Sequence, residues 1–129
     1  MLIALALLAA APDPYAAYET AAFKACDAKA TEPIVSAGCA EVEASRQDAL
    51  LAKEWAAALA KLPVPVRPEA SKAETAWRQF RDLDCAVPGK MDLGAGDAAY
   101  YVASCRLHRT IERRMGLADY PELNEAAGR

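Results

Sequence analysis

From Tyr15 to Met115 the apolar residues recur at three- and four-residue spacing, and no stretch alternates apolar with polar long enough to make a strand. That periodicity predicts an all-α chain, a small bundle of about four helices. Tyr15, Tyr18, Ala22, Phe23 and Cys26 mark a short first helix, which Thr31-Glu32-Pro33 ends. A long second helix is expected from about Val35 to Leu62. Leu51, Trp55, Leu59 and Leu62 form its buried stripe, and Glu41, Glu43, Arg46 and Lys53 lie largely off it. Pro63, Pro65 and Pro68 remove amide donors and bias the next stretch toward an extended spacer that reverses the chain. A third helix should start near Pro68 or Glu69 and run to about Cys85, with Ala73, Trp77 and Phe80 as its apolar face. Gly89, Gly94 and Gly96 belong to a loop before a fourth helix, from about Asp97 to Gly116. Its expected apolar side is Tyr101, Cys105, His108, Ile111 and Met115, beside an arginine stripe of Arg106, Arg109 and Arg113.

Although 54% of the 129 residues are hydrophobic, 32 are alanines, so large side chains are scarce and one modest domain is all the chain supports. Fifteen basic against 18 acidic residues argue against a partner made of nucleic acid. The run Leu2 to Ala11 is uncharged and apolar, too short to span a bilayer, and ends in an Ala9-x-Ala11 pattern. It reads as a signal peptide, and the chain divides into 1–17 as the exported leader, 18–118 as the helical domain and 119–129 as a loose polar tail. A soluble periplasmic or secreted protein follows, with no stable membrane span after cleavage.

Cysteine usage agrees with export. Cys26, Cys39, Cys85 and Cys105 are separated by 13, 46 and 20 positions, none in a C-x-x-C pair, which suits bridges between elements better than a zinc or redox site. Four cysteines allow three pairings. The one with the shortest loops joins Cys26 to Cys39 and Cys85 to Cys105, at about 3 kcal/mol per bridge by loop closure.

Catalytic machinery is not legible. The single histidine, His108, lies on an apolar helix side, Asp82 and Asp84 point in different directions on a helix, and the glycines lack the spacing of a phosphate loop. No metal site and no cofactor is expected. The best candidate for partner contact is the loop segment Lys90, Met91, Asp92 and Leu93, held at its ends if Cys85 joins Cys105.

The block Ala73-Glu74-Thr75-Ala76-Trp77-Arg78-Gln79-Phe80-Arg81-Asp82-Leu83-Asp84-Cys85 resembles the A-Q-x-A-W-x-x-[YF]-R-D-x-x-C signature of the lysozyme inhibitor LprI-like family. Cys105, Thr110 and Arg113 are similar to that family's C-x4-T-x2-R ending, and Asp48, Leu51, Trp55 and Leu59 to its D-x-x-L-N-x-x-Y-x-x-x-L stretch. Ala52, Trp55 and Glu74 stand where the family usually has Asn, Tyr and Gln. The resemblance covers roughly Cys26 to Leu117. It implies an exported, helical, disulfide-linked domain whose partner is lysozyme or another envelope protein. The activity it implies is inhibition of lysozyme; that the chain is not an enzyme is expected from the residues, which offer no catalytic constellation.

Within that signature, Trp77 and Phe80 are expected as buried anchors. Arg81, Asp82, Asp84 and Arg113 are expected to join the third and fourth helices as an ion-pair cluster, with Thr110 beside them. The functional alternative places Arg81 or Arg113 between the two catalytic carboxylates of a glycosidase. The acidic balance would favour encounter with a cationic enzyme. The reading in a different class is an accessory envelope domain that binds wall fragments or another protein without inhibiting anything.

Overall fold

The structure is a computed structural model in which residues 10–120 are described. Most of the expected leader and the end of the expected tail lie outside them. Four helices follow in order: α1 Ala21–Asp27, α2 Pro33–Lys61, α3 Arg67–Ala86 and α4 Ala95–Leu117. No strand occurs among the described residues. Short 3-10 turns, Val64–Val66 and Val87–Lys90, flank α3. The proline stretch is therefore largely coiled into a turn rather than extended. Each proline after the first sits near a helix start, where a missing amide costs nothing.

The core lies between α2 and α4, which run parallel, with α3 antiparallel to both. Ala40 and Ala44 of α2 meet Ala103, Leu107 and Ile111 of α4, and Tyr15, Tyr18, Phe23 and Met115 close over them. The abundant alanine lets the two helices approach closely, so a core with few large side chains still packs. Leu51 and Leu62 extend the buried line along α2, and Leu117 that of α4. Tyr101, expected on the buried side of α4, is instead 52% exposed.

Both disulfides staple elements together. Cys26–Cys39 joins α1 to α2 with Cα atoms 5.8 Å apart, and Cys85–Cys105 joins α3 to α4 at 5.4 Å. The chain reversal after α2 is capped by Arg67, whose guanidinium donates to the Leu62 and Ala60 carbonyls, both at 3.0 Å. These are orphan acceptors of the last helical turn, the groups a C-terminal cation satisfies.

Glu43, placed by the sequence off the buried stripe of α2, has no exposed surface at all. Its carboxylate accepts from the Thr20 amide at 2.9 Å, the Thr20 hydroxyl at 2.7 Å and the Gln47 amide at 2.9 Å. Gln47, also fully buried, donates to the Tyr18 carbonyl and accepts from Arg114. This polar ladder fastens the segment before α1 onto α2. Burial alone would raise the Glu43 carboxyl, but the hydrogen bonds from Gln47, Thr20 and Arg46 outweigh it and hold it below the usual carboxylate range.

Candidate functional site

Helix α3 is amphipathic in the unexpected sense. Its inward residues are Glu74, Arg78, Arg81, Asp84 and Cys85, whereas Phe80 is 51% and Leu83 74% exposed. Ala73 is exposed as well. The expectation that Phe80 is a buried anchor is therefore corrected. The surface that α2 and α4 offer to α3 carries Asp48, Arg109, Thr110 and Arg113, and only a charged face can satisfy those groups.

That interface is a layer of ion pairs. Arg81, 5% exposed, donates to Asp48 at 2.8 Å, to Asp82 at 3.0 Å and to the Thr110 hydroxyl at 3.3 Å. Thr110, also buried, donates its own hydroxyl hydrogen bond to the Arg106 carbonyl at 2.7 Å. Arg78 reaches the same Asp48 oxygen at 3.0 Å. Burial pushes the Asp48 carboxyl up, but Arg81 and Arg78 more than reverse this and hold it below its usual range. Burial likewise disfavours the charged Arg81, and its hydrogen bonds to Asp48 and Asp82 outweigh that and raise its pKa.

Further along, Arg113 donates to Glu74 at 2.9 Å. The other Glu74 oxygen faces Arg78 at 3.3 Å, an ion pair too poorly aligned to count as a hydrogen bond. Glu74 thus turns the family's usual amide position into a charge held by two arginines. Asp84 pairs with Arg109 at 3.1 Å. Trp77 is half-buried, with Arg81 5.3 Å and Arg113 5.8 Å from its ring.

Arg81, Asp84, Thr110 and Arg113 accordingly gather in one layer between the helices, whereas Asp82, expected there too, stays exposed and pairs with Arg81 of its own helix. Asp48, Glu74 and Arg109 complete the layer, and a reading of the signature alone did not supply them as partners. A spacing signal existed: 74, 78, 81 and 84 repeat at helical intervals and are all charged.

The loop expected to meet a partner follows directly. Val87–Lys90 coils into its 3-10 turn, the Met91 amide donates to the Pro88 carbonyl at 3.2 Å, and Leu93 tucks in, half-buried. Gly94, with φ +79°, turns the chain into α4 in a backbone conformation that an L side chain would strain. Lys90 and Asp92 are exposed, as is Met91 at 54%. The Cys85–Cys105 bridge ties α3 to α4 at the base of this loop.

Among the described residues one group of side chains comes close enough together to suggest a metal site. Asp84, Cys85 and Cys105 offer ligand atoms within 4.8 Å of one another, but both sulfurs are spent in the disulfide and are not thiolate ligands. His108 stacks on Tyr15 with ring centroids 4.5 Å apart, and Tyr15 donates to Glu112 at 2.7 Å. A groove of about 410 Å³ between α2 and α4 is open to solvent and lined largely by alanine and glycine. None of the described helices is long and apolar enough to cross a membrane.

Fold and site together define a small disulfide-linked helical domain whose exposed chemistry lies on a clamped loop and a helix face. The model of the family described as lysozyme inhibitor LprI matches residues 26–117, most of the chain, and the chain belongs to that family. No curated protein and no solved structure matches it.

Proposed function

We propose that this is an exported, non-catalytic binding domain that inhibits lysozyme-like glycosidases by presenting the Lys90–Leu93 loop to them. The observation that carries the reading is the loop itself: an exposed ammonium and thioether on a segment held by a disulfide and a half-buried leucine. Such preorganisation lowers the entropy lost on binding. Glycosidases of this kind cleave between two carboxylates, and an ammonium set there forms charge-assisted hydrogen bonds that block substrate. Lys90 takes the role considered for Arg81 and Arg113, both of which are committed to carboxylates inside the helix layer.

Export is part of the proposal, with cleavage of the leader ahead of Tyr15. This boundary keeps Tyr15, which a cut after residue 17 would remove together with its contacts to His108 and Glu112. The intact mass of the exported protein is expected to correspond to a chain that still contains Tyr15.

The functional test is peptidoglycan lysis by a panel of lysozymes in the presence of the purified, oxidised protein, with binding recorded in parallel. Dose-dependent inhibition is expected, and Lys90→Ala should weaken it at least tenfold with no change in melting temperature. Full activity of every enzyme, with no binding, would defeat the reading. Retention on peptidoglycan without inhibition would favour an accessory envelope domain instead.

A further inference from the structure

With its polar side spent on α2 and α4, α3 turns a regular apolar stripe to solvent. Ala73, Ala76, Phe80, Leu83 and Val87 are all exposed and follow one another at intervals of three, four, three and four, the spacing of a helix-pairing seam. Val66, one heptad before Ala73, is exposed too.

We infer that this stripe is a self-association surface, paired two-fold and antiparallel with α3 of a second copy. The distribution of side-chain volume selects the direction. The stripe is small at its start, Ala73 and Ala76, and large at its end, Leu83 and Val87. A parallel pair would set alanine against alanine and leucine against leucine, leaving a gap at one end. An antiparallel pair lays the alanine half of each copy against the leucine and valine half of the other, with Phe80 near the axis. The same patch then serves both copies, as a closed two-fold contact requires.

Charge agrees with a copy of the same chain. The carboxylates bordering the stripe are each paired within the same chain, Glu69 with Lys72 at 2.8 Å, Asp82 with Arg81 and Asp84 with Arg109 of α4, so two such faces meet with little repulsion. They also offer no excess negative charge to select a cationic enzyme. In the antiparallel arrangement Glu69 of one copy lies toward Lys90 of the other, an opposite pair at each end.

Size sets the strength. A 20-residue helix is about 30 Å long and about 10 Å wide, so its face offers less than the ~800 Å² per partner of a standard stable interface. The dimer should therefore form at micromolar concentrations or above rather than be permanent.

Sedimentation equilibrium of the oxidised protein across about 10 μM to 1 mM tests this. A monomer–dimer equilibrium is expected, and Leu83→Asp should weaken it at least tenfold. Because Leu83 is 74% exposed, its melting temperature should not move. Mixed Ala73→Cys and Val87→Cys chains should cross-link to each other in preference to themselves. A monomer throughout the range, a dimer indifferent to Leu83→Asp, or preferential Ala73→Cys self-linking would overturn the proposal. So would loss of glycosidase binding in Leu83→Asp by a wild-type protein that stays monomeric, which would assign the face to the enzyme.

Discussion

Helices α3 and α4 are alike in length and both lie beside α2, yet they are held by opposite physics. The α4 helix docks through Ala103, Leu107 and Ile111, all buried, in an apolar seam against alanines of α2. The α3 helix docks through Arg81, Glu74, Arg78 and Asp84, and keeps its apolar residues for solvent. An apolar seam is indifferent to pH and draws its stability from area removed from water. An ion-pair layer fixes register and orientation more than it adds stability, and depends on every member being charged. One helix is therefore the scaffold, and the other is a charged-backed plate, bridged to the scaffold by Cys85–Cys105, that carries the exposed stripe and leads into the loop.

The comparison can be broken by mutation. Ile111→Ala should destabilise the whole domain by about 3 to 4 kcal/mol, since it opens a cavity in the shared seam. Denaturant unfolding would register this as a shifted midpoint with an unchanged slope. Arg81→Ala should cost less, about 2 kcal/mol, because Asp48 keeps Arg78 and is partly exposed. Its signature is regional: amide exchange should quicken in α3 and hardly change in the buried parts of α2 and α4. Uniform acceleration in all three helices would erase the distinction.

Acid gives a smaller, graded effect. Asp48 and Glu43 have folded pKa values below their ordinary ones, so each adds stability above the unfolded carboxylate range, near pH 4, and loses it as pH falls through the folded value. Glu19, raised by burial, acts in the opposite sense: its contribution is present in acid and lost as pH rises through its folded value. Two lowered carboxyls against one raised one predict a melting temperature that declines below about pH 5. Exchange measured at pH 3 should open α3 and the Thr20 segment first, with the α2–α4 seam last. A melting temperature flat from pH 7 to pH 3 would show that neither layer contributes measurably.

Much of the fold was legible in the residues. Helical spacing and the prolines placed α2, α3 and α4 to within a few residues, whereas α1 begins at Ala21, after Tyr15 and Tyr18, which lie in turns ahead of it, and loop length favoured the two disulfides that form. Of the charged residues in the signature block, Arg81 and Asp84 meet α2 and α4 while Asp82 stays outside. The orientation of α3 was not legible. Ala73, Trp77 and Phe80 read as an inward arc, yet the helix carries a second arc of charges at 74, 78, 81 and 84, and a helical wheel alone cannot rank one against the other. The buried Glu43 escaped for the same reason: its acceptors are used by Thr20 and Gln47, and nothing local announces a partner 23 residues away.

What the sequence determined by itself was local: where helices start and stop, which residues share a face, and which cysteines can close short loops, because these follow from backbone sterics and periodicity within a few residues. Which face of each helix turns inward was decided by the tertiary structure alone. Burial of a charged side depends on long-range partners, Asp48 for Arg81 and Arg113 for Glu74, and only their assembly makes a polar interior cheaper than an apolar one.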